Sequence, residues 1–331
     1  MKHFISRVSF FLIVFFIAAQ IGFAGGEILR PKNYQPPKFL ASERLQAILD
    51  NAIQEMLARY DGKFKADEVA ATLIDLRNPD RLFRAGYRSQ APIYPASVVK
   101  MFYMAALEQQ LEDGKIFLSP ELSRGLRDMI VVSSNEATQY VLDVLTETSS
   151  GAELPPKEFA KWQFKRNRVN RFFASLGYTG INVNQKTFCE DAYGVEQQSR
   201  NYKGENRNML TTDATARLLT EIALKRFVSP ARSEQMLSLM KRDPYVRSDD
   251  PDDQAVGFTG KAFIDAKMPG VRLWSKAGWT SKSRHDAAYV ETPDGLKFVL
   301  VVFTENHAFD REPIPAIALK VLEGLKSTDL H

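Results

Sequence analysis

The chain has a single cysteine among 331 residues, so no disulfide can form within it and no multi-cysteine zinc or iron–sulfur site can be built. Histidine is almost as scarce. His3, His285, His307 and His331 are scattered, which argues against a His-rich metal centre. Charge of one sign is lacking too. The 44 Lys and Arg stand against 40 Asp and Glu, a formal charge of +4. No dense basic run appears, so no nucleic-acid partner is expected. Hydrophobic residues at 44% and charged residues at 25% exclude collagen-like, low-complexity and mostly disordered classes. There are no internal repeats.

One stretch alone is strongly apolar, and it opens the chain. Lys2 and Arg7 precede an apolar run over 8–17, and Gly22-Phe23-Ala24 follows as a small-x-small cleavage site. This reads as a secretory signal peptide over 1–24, cut after Ala24. As an uncleaved anchor, 8–24 is short for a bilayer and is interrupted by Ser9 and Gln20. No cysteine lies near the cut, which excludes a lipoprotein. No membrane span is expected once the leader is gone, and a secreted or periplasmic monomer is. Without Lys2 and Arg7 the charge falls by two. Cys189 is expected to be a buried structural thiol, because no His partner for a reactive one is recognisable.

Residues 25–41 hold three prolines and read as a linker. Ser42 then caps a helix with apolar residues at Leu45, Ile48, Leu49, Ile53, Met56 and Leu57. Strands are expected over 69–76 and 81–87, joined by the turn Arg77-Asn78-Pro79-Asp80. The middle is helical: 98–111, 119–132, 137–145, a long basic helix over 155–176 stopped by Gly177, then 211–224 and 229–240. Between them lie a polar loop at 182–208, functional or mobile by its length, and an acidic surface loop at 243–253. The end returns to strands at 271–276, 286–291 and 297–304, the last two around Thr292-Pro293-Asp294-Gly295, and closes on a helix over 313–325. The expected fold is α+β, an antiparallel sheet flanked by terminal helices with an inserted all-helical subdomain. The catalytic domain would run over 42–331, its sheet part 42–94 and 263–331 and its helical part 95–262.

Ser97-Val98-Val99-Lys100 opens a helix after Pro95. Positions i and i+3 share a helix face, so the hydroxyl and the amine can enter one cavity. A serine is a weak nucleophile that needs a base, and a lysine serves once burial or a nearby cation lowers its pKa. The pattern alone is weak: Ser238-Leu239-Met240-Lys241 repeats it and reads as surface. Only Ser97 is followed by both Ser133-Ser134-Asn135, ending a helix, and Lys276-Ala277-Gly278, ending a strand.

These three motifs in this order resemble the serine penicillin-recognising enzymes, the β-lactamases and penicillin-binding D,D-peptidases, and most of all the class A β-lactamases. The resemblance covers roughly 42–331 and includes Gly204-Glu205-Asn206-Arg207-Asn208, similar to the end of that family's Ω-loop. It implies that Ser97 is acylated and Lys100 takes and relays its proton. Ser133 would pass a proton to the leaving nitrogen. Asn135 would bind the substrate's amide and Lys100. Lys276 would meet the substrate carboxylate and tune Ser133. Gly278 would let the substrate backbone lie on the strand. The backbone N–H groups of Ser97 and Trp279 would form the oxyanion hole. Neither metal nor organic cofactor is implied, and the substrate would be a β-lactam or a D-Ala-D-Ala-like peptide.

The chain departs from the pattern in places. The interval from Ser97 to Ser133 is short and that from Ser133 to Lys276 long for such an enzyme. Ala277 stands where Thr or Ser is usual, and Ser134 where Asp is. No E-x-x-x-N sequence marks the carboxylate that activates the deacylating water. Glu190 and Glu196 are the candidates, with Glu190 preferred, while Glu190, Asp191 and Glu196 also suit a merely solvated loop. Arg284 or His285 follows at the spacing of a cation for the substrate carboxylate; Arg284 is preferred, against a solvated hairpin tip. The basic stretch 157–171 reads as a wet face, or as a contact for anionic polymer or membrane. Trp274 and Trp279 read as sheet packing, with Trp279 at the site's edge. A β-lactam-opening enzyme leads. A D,D-peptidase-like enzyme, a non-catalytic cell-wall binder and an esterase or amidase are the alternatives.

Overall fold

The computed structural model describes residues 26–327; the expected leader lies outside them. The strands are β1 Phe39–Ala41, β2 Val69–Asp75, β3 Leu82–Tyr87, β4 Lys241–Arg242, β5 Arg272–Trp279, β6 Ser283–Glu291 and β7 Lys297–Glu305. The helices are α1 Glu43–Ala58, α2 Val99–Glu112, α3 Pro120–Val131, α4 Asn135–Thr146, α5 Pro156–Arg166, α6 Arg168–Ser175, α7 Val195–Arg200, α8 Thr212–Ala223, α9 Pro230–Met240, α10 Thr259–Asp265 and α11 Pro313–Lys326. The strands form one sheet in the order β1-β3-β2-β7-β6-β5-β4. Its pairs are antiparallel except β1 with β3. The α+β class and the inserted helical region are as expected from the sequence, with that one parallel pair added.

Side chains of a strand alternate between faces, and here each face meets its own core. Val299, Val301 and Phe303 of β7 point to a core shared with α2, α3, α4, α6, α8 and α9. Phe298, Leu300 and Val302 point to one shared with α1, α10 and α11. The terminal helices therefore cover one face and the inserted helices the other. α2 runs through the larger core with every residue from Val99 to Leu111 buried, as a helix apolar on most sides must. Ser42, Ser119, Ser229 and Thr211 cap their helices by accepting the backbone N–H of the third helical residue.

Three expectations change. Residues 26–41 are not a free tether. Ile28 and Tyr34 are buried in the larger core, Tyr34 donates to Glu221 Oε1 at 2.8 Å, and Phe39–Ala41 joins the sheet. Prolines hid this segment because it packs without periodicity. The basic helix breaks into α5 and α6 at Asn167, and Gly177 stops it at φ +78°. The sheet also takes in Lys241–Arg242, from the stretch assigned to the helical part. Among the described residues no helix is long and apolar enough to cross a membrane.

Candidate active site

Ser97 lies in the 3-10 turn Ala96–Val98 that leads into α2. Ala96 before it has φ +47°, a left-handed conformation that costs a non-glycine residue about 1–3 kcal/mol and persists only where the surroundings impose it. The surroundings are identifiable. His285 of β6 accepts the Thr304 N–H on Nδ1 (3.1 Å), so its Nε2 carries the proton and donates to the Tyr94 carbonyl (2.9 Å). Burial pushes the His285 pKa down to about 4, which keeps the ring neutral for this task. From the other side Gly278 of β5 presses on the turn. A Cβ there would sit 2.7 Å from the Pro95 carbonyl oxygen and 3.0 Å from the Ser97 nitrogen. Only glycine lets strand and turn meet. The Ser97 hydroxyl is half-buried and makes no hydrogen bond among the described residues.

One turn along α2, Lys100 is fully buried. Its Nζ donates to three oxygens: the Ser133 carbonyl (2.6 Å), Ser133 Oγ (3.2 Å) and Asn135 Oδ1 (2.8 Å). Burial lowers its pKa to about 7 against the opposing pull of Glu136 and Cys189. Ser133 has φ +59° and turns its side chain inward between α3 and α4. Ser134 is the N-cap of α4, accepting the Ala137 N–H at 3.0 Å. Serine and aspartate cap equally well, so this departure keeps the local fold. Asn135 is the first residue of α4 and hands Nδ2 to Cys189 Sγ at 3.4 Å.

Lys276 enters from β5. Its Nζ donates to Ser133 Oγ (3.0 Å), Gln254 Oε1 (2.6 Å) and its neighbour's carbonyl at Ala277 (2.7 Å). Burial, then the charges of Lys100 and Arg242, hold its pKa well below the usual lysine range, with Asp286 pulling the other way. Ser133 Oγ thus accepts from two lysines. A hydroxyl has two lone pairs and one proton, so its own proton is left to be donated into the cavity.

The Beta-lactamase enzyme family profile matches residues 121–323, well over half of the chain. The chain belongs to this family. The matched span contains Ser133, Asn135, Lys276 and Gly278 and begins after Ser97 and Lys100, which geometry alone ties to the others. Similar solved structures include a β-lactamase from Sphaerobacter thermophilus, at 19% identity over 86% of this chain and 99% of that one with a TM-score of 0.60. A class A β-lactamase from Bacteroides cellulosilyticus gives 17%, 87%, 100% and 0.59. The protein called PBP-A gives 15%, 89%, 100% and 0.58. At such identities these show a shared fold. No curated protein matches the chain.

Within this β-lactamase-like frame several expected residues stand elsewhere. Arg284 does not face the cavity. It is buried, donates to Asp252 Oδ1 (2.7 Å) and the Gly257 carbonyl (2.6 Å), and stacks on Phe258 at 4.0 Å. It anchors the loop before α10 and has no free face for a substrate carboxylate. Glu196 is 1% exposed and clamped by both Arg166 Nη groups (2.6 and 2.8 Å), Lys186 (3.2 Å) and Ser150 (2.9 Å). Burial would raise its pKa, but these partners hold it below the usual carboxylate value. Glu190 is exposed and makes neither hydrogen bond nor ion pair among the described residues. Its neighbour Cys189, expected to be buried, is exposed beside Asn135. Trp274 stacks on Tyr289 at 5.0 Å, as sheet packing requires. Trp279 is 42% exposed at the rim, donating its indole N–H to the Ala308 carbonyl at 2.9 Å.

Gln254 is the residue that sequence reasoning missed. Its Oε1 accepts from Lys276 and from the Ala277 N–H (3.2 Å), and its Nε2 donates to the Val131 carbonyl (2.9 Å). It ties the end of α3 to β5 across the site. The only hint in the sequence is the long interval before Lys276, which contains it.

Proposed function

We propose that the protein is an exported serine hydrolase that opens β-lactam amides through an acyl-enzyme on Ser97. The observation that carries this reading is Ser133 Oγ held between the Nζ atoms of Lys100 and Lys276. A lysine with a pKa of about 7 is neutral in a useful fraction near neutral pH and can accept the Ser97 proton. Ser97 Oγ then bonds to the carbonyl carbon, and the backbone N–H groups of Ser97 and Trp279, on segments joined at Gly278, receive the negative oxygen. The proton passes from Lys100 to Ser133 Oγ and on to the leaving nitrogen as the C–N bond breaks. Lys276, through its hydrogen bond to Ser133 Oγ, orients that hydroxyl for the proton transfer, and Asn135 binds the substrate's amide. Water releases the acyl group and restores Ser97.

A second reading is favoured by the carboxylates. Glu196 is committed to Arg166 and Lys186, Glu190 is unpaired in solvent, and the group against Asn135 is the Cys189 thiol. Acylation is then better provided for than deacylation, as in a D,D-peptidase-like enzyme that a β-lactam traps. The test is intact mass over time after mixing with a penicillin, with Ser97→Ala as control. An adduct that appears and clears supports the hydrolytic reading, and one that persists supports the trapped peptidase. Absence of any Ser97-dependent adduct removes both.

A further inference from the structure

The basic stretch 157–171 turns out to have few free charges. Lys165 pairs with Glu147 (3.4 Å), Arg166 with Glu196, Arg168 with Glu147 (3.1 Å), and Arg171 with Glu27 (2.7 Å). The face that remains is a polar hollow. A cavity of about 540 Å³ opens beside α5, α6 and the 182–208 loop, and none of its walls belongs to the Ser97 site. Its size falls within the ordinary range for small-ligand clefts, about 300–1,000 Å³.

Amides line it. Asn184 Nδ2 donates to Asn167 Oδ1 (3.0 Å) and Asn206 Oδ1 (3.2 Å), and Asn182 Nδ2 donates to Asn206 Oδ1 (2.8 Å). These bonds fix the amide planes in advance. Two donors are left over. Asn167 uses only its oxygen, accepting from Asn170 and Asn184. Gln163 is 6% exposed and uses only its oxygen, accepting from Ser199 Oγ at 2.7 Å. Among the described residues its Nε2 has no acceptor, which leaves it free to donate to a ligand oxygen in the groove. Two aromatic rings flank the amides: Phe164, 60% exposed with the Arg171 guanidinium over one face at 3.9 Å, and Tyr202, 38% exposed. The lining is close to neutral. Arg171 is held by Glu27, Glu205 by Arg207 (3.3 Å), and Lys203, without an ion pair among the described residues, lies over the Tyr202 ring at 5.3 Å.

Fixed amides, spare N–H donors, exposed rings and little net charge together suit one chemistry. Hydroxyl groups both donate and accept, matching amides, and the C–H faces of pyranose rings pack on aromatic faces. A polyanion would find too little positive charge. We propose that this groove binds a neutral oligosaccharide, with Phe164 and Tyr202 as the ring platforms and the Asn167 and Gln163 amides as donors to its oxygens. The groove shares its loop with Cys189, which touches Asn135, but its occupancy does not depend on acylation of Ser97.

The test is calorimetric titration of the whole protein, with saturation-transfer NMR, using tetra-N-acetylchitotetraose and cellotetraose as probes. Binding of either supports the proposal, and the preferred one tells whether acetamido groups are read. Phe164→Ala and Tyr202→Ala should each weaken binding about fivefold to tenfold. Phe117→Ala, an exposed ring elsewhere, should leave it unchanged, and all three should acylate with penicillin as before. The proposal is overturned if neither saccharide binds at about 10 mM. It is overturned equally if binding survives the double variant Phe164→Ala/Tyr202→Ala, or if tetra-alanine binds where the sugars do not. Circular dichroism of the variants separates lost binding from lost fold.

Discussion

Two loops touch the Ser97 site, one at Lys276 and the other at Asn135, and they are built to different ends. The loop over 243–258 is pinned at Asp252, which takes hydrogen bonds from Arg284 and from Arg311 (2.9 and 2.6 Å). Two residues on, it delivers Gln254 to Lys276. The loop over 182–208 turns its ionic groups away from the site. Its Lys186 and Glu196 close on Asp143 and Arg166, Asp191 closes on Arg200 and Glu205 on Arg207, its amides close on one another, and Cys189 reaches Asn135. A loop pinned at Asp252 thus supports the lysine pair to which the proposed acylation is assigned, while its counterpart brings no carboxylate to the proposed deacylation. Proximity of a loop in space tells little; what matters is where its polar groups are satisfied.

The largest effect expected from disturbing this contrast is on stability. Glu196→Ala takes from the buried Arg166 and Lys186 one of the two carboxylates they share, leaving Asp143, and loss of one partner from a buried ion pair costs about 3–5 kcal/mol. Urea unfolding should show it, with acylation by penicillin at low temperature little changed. A loss under about 1 kcal/mol would mean the cluster is not what holds this loop.

Next comes the other loop. Gln254→Leu removes an acceptor from Lys276 and a donor from the Val131 carbonyl. Hydrogen bonds to charged groups are worth about 1.5–3 kcal/mol, so the acylation rate constant should fall roughly 10–100-fold, with less effect on penicillin affinity. Asp252→Asn should reproduce a smaller part of this loss through the released anchor. If both variants acylate normally, Lys276 keeps its place without the loop.

The contrast also separates what the sequence could and could not disclose. That Lys100, Ser133, Asn135 and Lys276 would meet beside Ser97 was legible from three short motifs whose internal spacing fixes a face; the first two lie where helices begin, and Lys276 lies within β5. The strands and most helices were legible from periodicity and caps. Arg284 was misjudged because a strand's alternation shows that a side chain points to one face but not which neighbour awaits it there. Glu196 and Gln254 depend on partners far along the chain, and such pairings leave no local pattern. The proline-rich segment before Ser42 packs through isolated residues, Ile28, Tyr34 and the short strand Phe39–Ala41, which leave no periodicity to read.

A smaller and more specific effect concerns pH. With Lys100 as the base, its neutral form is the active one. The acylation rate should therefore rise as pH increases and level off above about 7. Glu136 favours the charged form of Lys100, so Glu136→Gln should shift the inflection to lower pH while leaving the plateau. A flat profile would indicate that Lys100 does not change protonation in the rate-limiting step. A shift to higher pH would mean that Glu136 acts by another route.

The smallest expected effect is the most discriminating between the two functional readings. Glu190 is exposed and unpaired, and substitutions at such positions change energies by about 0.5 kcal/mol or less. Glu190→Ala should then alter the lifetime of the Ser97 adduct by no more than about twofold. Cys189→Ser, which replaces the group that actually touches Asn135, should alter it slightly more. Should Glu190→Ala instead lengthen the adduct's life many-fold, the carboxylate must swing inward once substrate is bound. The 182–208 loop would then contribute to turnover as directly as the 243–258 loop contributes to acylation, and the trapped-peptidase reading would lose its main support.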